Sequence, residues 1–358
     1  MKYLNAINKI NGIGSQKIKL LVNHFQTGEN IWNASLQDLI SAGIAEKLAL
    51  NIIQERAKIN PDLEWEKLEK ENVQIISFDD KKYPKLLREI PSAPHLLYVK
   101  GEFDFNSSPM LAIVGSRKFT QYGKQAALSI ARELASAGIT VVSGMALGID
   151  SFAHQSSLEA GGKTIAVLGS GLDDINIGPR INFQLSRHII SNGALISDYP
   201  IGTQATPYTF PARNRLMAGL TLGTIVIEAA PQSGTLITAN LATEFNREVF
   251  AVPGSIFSTA SQGANDLIKS GAKIVTSVSD ILEELNLENF RQEENIKEAI
   301  PETQEEEIIL RILSGEPIHI DRIIKLSKIN TSVISSTLII LEMKGFIKDI
   351  GGQNYIKC

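Results

Sequence analysis

The chain has 358 residues, a single cysteine (Cys358), a formal net charge of -4, and 43% hydrophobic against 21% charged residues. At ~100–200 residues per domain, this length holds two or three domains, and the composition excludes a chain that is disordered throughout. No apolar run approaches the ~20 residues of a membrane span, and one cysteine allows neither an internal disulfide nor a cysteine-based metal site.

Met1-Lys-Tyr-Leu-Asn-Ala-Ile-Asn8 has no apolar signal core, so a cytoplasmic protein is expected. Taken whole, the negative charge speaks against a nucleic-acid partner. Taken by segment it does not. Residues 283–307 hold ten glutamates against Arg291 and Lys297, whereas residues 1–282 carry a net charge of +1 and residues 308–358 a net charge of +3. The acidic stretch has few large apolar residues and reads as a solvated linker over 286–304, its two ends reading equally as polar surface helix.

In chain order, residues 1–75 read as a helical domain. Leu4, Ile7 and Ile10, then Ile18, Leu21, Val22 and Phe25, recur at helix spacing. Between them lies Ile10-Asn-Gly-Ile-Gly14, followed by Lys17 and Lys19, and two helices joined by such a turn resemble a helix-hairpin-helix. Two readings stand for its glycines: backbone amides held close to a phosphate, or plain helix caps. Trp32 and Trp65 are expected in the core. From about residue 109 the texture becomes α/β. Apolar runs at 110–114, 139–142, 164–168, 194–196, 224–227, 249–252 and 273–275 are mostly separated by helical segments. Runs of this kind fit strands buried on both faces, so residues 76–285 are expected to form an extended Rossmann-like, doubly wound, mostly parallel sheet. Over 305–358 the pattern is helix, helix-turn-helix, then two short strands around Gly351-Gly352, which is a winged helix. Its second helix, from Ser332, is poor in Arg, Lys, Asn and Gln until Lys344, so base-specific groove reading is not expected there.

In a parallel sheet, ligands bind beyond the carboxyl ends of the strands. Small residues follow five of the runs: Gly115-Ser116-Arg117, Ser143-Gly144 through Gly148, Gly169-Ser-Gly171, Ser233-Gly234-Thr235 and Pro253-Gly254-Ser255. Small residues at one strand end are ordinary turn chemistry. At five they make a rim of amides and hydroxyls suited to an anion. Ser233 or Thr235 can equally serve only to cap a helix. Arg117, Arg213 and Arg215 strengthen the anion reading, because guanidinium binds phosphate in a planar fork. No Walker A or Gly-x-Gly-x-x-Gly pattern is present, and the five histidines show no metal spacing, so neither a cofactor nor a metal is implied. Asp150 and His154 read as a local pair or helix surface. Glu228 could act as an acid or base, or orient Arg213 or Arg215. No nucleophile–base–orienter set emerges.

Leu111-Ala-Ile-Val-Gly-Ser-Arg117, Val142-Ser-Gly-Met-Ala-Leu-Gly-Ile-Asp150 and Val167-Leu-Gly-Ser-Gly-Leu-Asp173 resemble the DNA-processing protein family DprA, also called Smf. So do Phe210-Pro-Ala-Arg-Asn-Arg215, Ser233-Gly-Thr-Leu-Ile-Thr-Ala239, Phe250-Ala-Val-Pro-Gly254 and Gly263-Ala-Asn265. The resemblance implies a SAM-like or helix-hairpin-helix domain and a winged helix flanking an extended Rossmann-like domain. It also implies a non-enzymatic protein that binds and protects incoming single-stranded DNA during natural transformation, loads RecA onto it and dimerises through the Rossmann-like domain. Carried over residue by residue, it implies that Arg117 contacts phosphate, that Ser143, Gly144 and Gly148 supply donors nearby, and that Arg213 and Arg215 belong to the same surface. Where the family has Tyr-Pro and a downstream Asn, this chain has Gly178-Pro-Arg180-Ile-Asn182, which removes a tyrosine and offers Arg180 to phosphate.

The rival reading is a nucleotide-processing enzyme of the lysine-decarboxylase-like phosphoribohydrolase type. Those proteins carry Pro-Gly-Gly-x-Gly-Thr and then a glutamate, whereas this chain has Ala230-Pro-Gln-Ser-Gly-Thr235 and then Thr238.

Overall fold

The computed structural model describes residues 1–287, 303–313, 318–327, 329–343, 346–349 and 351–357. The expected acidic linker lies almost wholly outside the described residues. Two compact units are present, 1–291 and 292–358.

The first unit opens with six helices: α1 (Lys2–Asn8), α2 (Ser15–Phe25), α3 (Gly28–Asn33), α4 (Leu36–Ser41), α5 (Glu46–Arg56) and α6 (Pro61–Lys70). Local sequence explains several of their starts. The Asn60 side chain accepts from the amides of Asp62 and Leu63 with Pro61 in the first turn, and Ser35 with Asp38 forms a capping box on α4. Trp32 and Trp65 pack half-buried against the core, as expected.

There follow β1 (Val73–Ser77), α7 (Lys85–Glu89), β2 (Leu96–Gly101), β3 (Met110–Val114), α8 (Gln121–Ser136), β4 (Thr140–Ser143), α9 (Ile149–Glu159) and β5 (Thr164–Val167). Then come α10 (Phe183–Asn192), β6 (Gly193–Ser197), α11 (Thr209–Leu220), β7 (Gly223–Val226), α12 (Gly234–Glu244), β8 (Glu248–Ala251), α13 (Thr259–Lys269), β9 (Lys273–Ile274) and α14 (Val278–Glu284). The strands form one nine-stranded sheet in the order β1-β2-β6-β5-β4-β3-β7-β8-β9. From β6 to β9 every pairing is parallel, and β2 and β1 add an antiparallel edge. Strands β3 to β7 are buried along their whole length, which is why they read as unbroken apolar runs. The order turns at β3, whose neighbours are β4 on one side and β7 on the other, and ligands of doubly wound sheets bind beyond the strand ends at such a switch point.

The bundle is not a separate bead. One apolar cluster runs from Leu4, Ile18 and Leu39 into Leu96, Tyr98, Leu168 and Leu195 of the sheet region. Polar contacts pin the same seam: the Tyr98 hydroxyl donates to Asn5 at 2.9 Å, and Lys9 Nζ reaches the Ile201 carbonyl at 2.9 Å.

The second unit holds α15 (Gln304–Ile312), β10 (Ile318–His319), α16 (Ile320–Ser327), α17 (Thr331–Met343), β11 (Ile347–Asp349) and β12 (Asn354–Lys357). Its three strands pair in the order β10-β12-β11 over a core of Ile309, Ile323, Ile334 and Leu338. This is the winged-helix arrangement read from the sequence, with β10 as an added third strand.

Candidate nucleic-acid interface

The loops after β3, β4, β5, β7 and β8 gather at one edge of the sheet. Arg117 stands at the switch point, exposed, with its guanidinium 5.3 Å from the centre of the Phe210 ring. Among the described residues it makes neither an ion pair nor a side-chain hydrogen bond. A cation fixed over a ring face keeps its charge available while losing torsional freedom. Ser116 shapes the turn: its hydroxyl donates to the Lys118 carbonyl and accepts from the Lys118 amide. Gly115 sits half-buried directly after β3.

Below this crest the expected donors are already engaged. The Ser143 hydroxyl is fully buried and donates to the Ile113 carbonyl at 2.6 Å. Asp150 accepts from the amides of Gly144 at 3.2 Å and Ala146 at 3.4 Å, so an internal carboxylate fills the nest that a phosphate was expected to use. Burial pushes the Asp150 carboxyl up, with Arg213 opposing. Gly148 caps α9 at φ +84°, and a side chain there would meet the Ser116 carbonyl at 2.6 Å. Its role is the close approach of two loops.

The arginines part company. Arg213 is 4% exposed, lies beneath the rim and donates Nη1 to the Val167 carbonyl. Burial lowers its pKa to about 10 even with Asp150 nearby. Arg215 is bound to Asp198 and to the Ser92 carbonyl. Both were expected on the binding surface, and both are structural pins instead. The reason is their place on α11, which turns them into the protein.

Arg180 is exposed, donates to the Asp174 carbonyl at 2.7 Å, and lies 4.4 Å from the centre of Phe183, with Arg187 5.0 Å from the same ring. Asn182 donates to the Met145 carbonyl at 2.9 Å and ties this loop to the one after β4. Ser233 caps α12 by accepting from the Thr235 amide, Thr235 is buried, and Gly234 is exposed. Asn265 clamps Gly254 through both its amide and its carbonyl, and the Gly263 amide donates to Ala229 at 2.7 Å. These last two hold the rim from behind rather than line it.

Two further readings change. Glu228 orients neither arginine: its carboxylate accepts from the Thr120 amide at 3.0 Å and the Thr120 hydroxyl at 2.5 Å, where α8 begins. His154 is buried and bonded to Thr164 at 2.7 Å, not to Asp150, and burial lowers its pKa to about 3.

The sequence reading missed the aromatics. Phe183 underlies two guanidiniums, while Tyr208 and Phe257 stand exposed beyond β6 and β8. Exposed rings beside cations in loops at one sheet edge are the available signal, since stacking platforms and phosphate contacts go together in single-strand binding.

A family described as DNA recombination-mediator protein A matches residues 74–286, and the DprA winged helix domain matches residues 297–353. The chain belongs to the DprA/Smf family. Protein Smf of Synechocystis is 35% identical over 390 aligned residues, covering 99% of this chain and 98% of that protein. DNA processing protein DprA of Streptococcus pneumoniae is 44% identical over 219 residues, 61% of this chain and 77% of its own. The X-ray structure of the pneumococcal protein superposes with a TM-score of 0.70 at 36% identity, covering 79% of this chain and 98% of that one. A Helicobacter pylori DNA processing protein A, reported for its single-stranded DNA binding mode, gives a TM-score of 0.54 at 30% identity over 60% of this chain and 95% of that one. In this chain the extended Rossmann-like domain is flanked by the helical bundle and the winged helix, and among the described residues no single helix is long and apolar enough to cross a membrane.

Proposed function

We propose that this protein is a cytoplasmic recombination mediator that binds single-stranded DNA along the rim, protects it and loads RecA onto it during natural transformation. It acts by binding, without turnover. The observation that carries the reading is Arg117: an exposed guanidinium at the switch point of the sheet, over the Phe210 ring and without an ion-pair partner among the described residues. Arg180 continues the cationic path on the loop after β5. Phosphate contacts of this type carry no base information, so binding is expected to be general in sequence.

The internal chemistry fits binding better than cleavage. Glu228 is consumed at the start of α8, and Asp150 is buried against backbone amides. The phosphoribohydrolase reading expects free base to be released from nucleoside monophosphates. We further propose a homodimer through the Rossmann-like domain. The two-residue strand β9 ends the sheet, and Ile274 on it is 52% exposed.

The test is a salt-titrated gel shift on single-stranded and duplex DNA, with and without RecA. Single strands are expected to win, with log K falling by ~0.7 per log unit of salt for each phosphate neutralised. Arg117→Ala is expected to weaken every single-stranded sequence alike, and wild-type binding by that variant refutes the assignment.

A further inference from the structure

A third cation–aromatic station lies on the same edge of the sheet, and one of its cations comes from the helical bundle. The pairing of Ser77 with Leu96, and of Tyr98 with Ser197, puts the end of β1 at the edge where β6 and the other parallel strands end. The Phe78 amide extends the ladder one step to the His95 carbonyl at 2.9 Å, so the loop leaving β1 opens onto the rim. Lys19 of α2 lies 5.4 Å from the centre of the Phe78 ring, and the Arg88 guanidinium lies 5.7 Å from the same ring and 5.5 Å from Tyr83. Lys81 and Lys82 are exposed beside them.

Four cations therefore share this corner with two carboxylates, Asp79 and Asp80. Asp80 directs its carboxylate to the Lys82 amide at 2.8 Å and its carbonyl to Arg88 at 2.7 Å. None of the four cations is in an ion pair among the described residues. Lys19 and Arg88 thus hold like charges over one ring, and an anion bound beside them relieves their repulsion. The pairing of ring and cation repeats that of Arg117 on Phe210 and of Arg180 on Phe183, where Arg187, the second cation over the ring, is paired with Asp174.

We infer that Lys19, Phe78, Lys81, Lys82 and Arg88 bind the phosphates and bases of the same DNA strand that passes Arg117, so that the footprint runs onto the N-terminal bundle. The inference rests on the rim reading above. From β3 to β1 there are five strand spacings of about 4.8 Å, or about 24 Å. At ~3.4 Å per nucleotide for a stacked strand this distance spans roughly seven nucleotides. A strand shorter than this fills the centre of the rim without reaching Phe78.

The experiment compares oligodeoxyadenylates, which stack, of about six and about twenty nucleotides by fluorescence anisotropy, the first too short and the second long enough to span this distance. The full-length wild type is measured beside Lys19→Glu/Lys82→Glu and Arg117→Ala. Both lysines are exposed, and circular dichroism checks that the double variant folds. The double variant is expected to bind the short probe as the wild type does, to lose several-fold affinity for the long one, and to lose about 1.4 from the magnitude of its salt slope. If it binds the long probe with wild-type affinity and slope while Arg117→Ala is impaired on both probes, the extension is wrong and the rim stands. If wild type binds neither probe, both fall.

Discussion

Gly144→Ala is a severe test of how the rim is supported. A β-carbon at Gly144 falls 2.0 Å from Arg213 Nη1 and 2.6 Å from Cζ and Nη2. The guanidinium cannot swing away freely, because it is buried and Nη1 is bonded to the Val167 carbonyl. Forcing extra carbon into a packed site costs about 1–3 kcal/mol. Displacing a hydrogen bond to a charged group adds about 1.5–3 kcal/mol. Together they give an expected loss of about 2.5–6 kcal/mol, read as a shift in the urea midpoint with little change in slope. The same substitution in an Arg213→Met background should cost less, and the cycle should show about 1–3 kcal/mol of relief. A loss under about 0.5 kcal/mol for Gly144→Ala, the scale of a surface change, would show that Arg213 does not occupy this space.

Other outcomes follow from the same framework. Glu228→Ala removes the partner of the Thr120 amide and hydroxyl, and is expected to cost about 1–3 kcal/mol in chemical denaturation while leaving DNA affinity near wild type. His154 has its pKa lowered from 6.5 to about 3 by burial, so the unfolded chain binds the extra proton between those values. Stability is therefore expected to fall as pH drops below about 6.5, by up to ~1.4 kcal/mol per unit from this group, and His154→Asn should flatten that slope in urea melts taken across pH 4–7. Ile274→Glu places a charge on the open edge of β9; sedimentation is expected to show monomer where wild type is dimeric, and a persistent dimer would move the interface elsewhere.

The α/β core was readable because strands buried on both faces leave unbroken apolar runs, such as Met110–Val114. The antiparallel edge was not. Lys100 sits in β2 and is buried, its charge met by Glu71 at 3.0 Å and Asp174 at 2.8 Å, and nothing adjacent in sequence announces those partners. At the site, loop chemistry was legible but side-chain direction was not. Arg117, Arg213 and Arg215 are equally basic as letters. Only the packing of α11 against the sheet shows that two of them are held by Val167, Ser92 and Asp198. Asp150 taught the same lesson in reverse: a residue read as a local pair or helix surface fills the anion nest of its own loop.

The shared core of bundle and sheet bears on how such proteins can vary in domain content. Removing the first six helices would strip most of its members from the apolar cluster in which Leu168, Leu172 and Ile201 are buried. A chain that dispenses with those helices therefore needs hydrophilic replacements at the corresponding positions, or another polypeptide to shelter them. Loss of the bundle is thus tied to a rewritten surface, and a simple gene deletion would leave an adhesive protein rather than a minimal one.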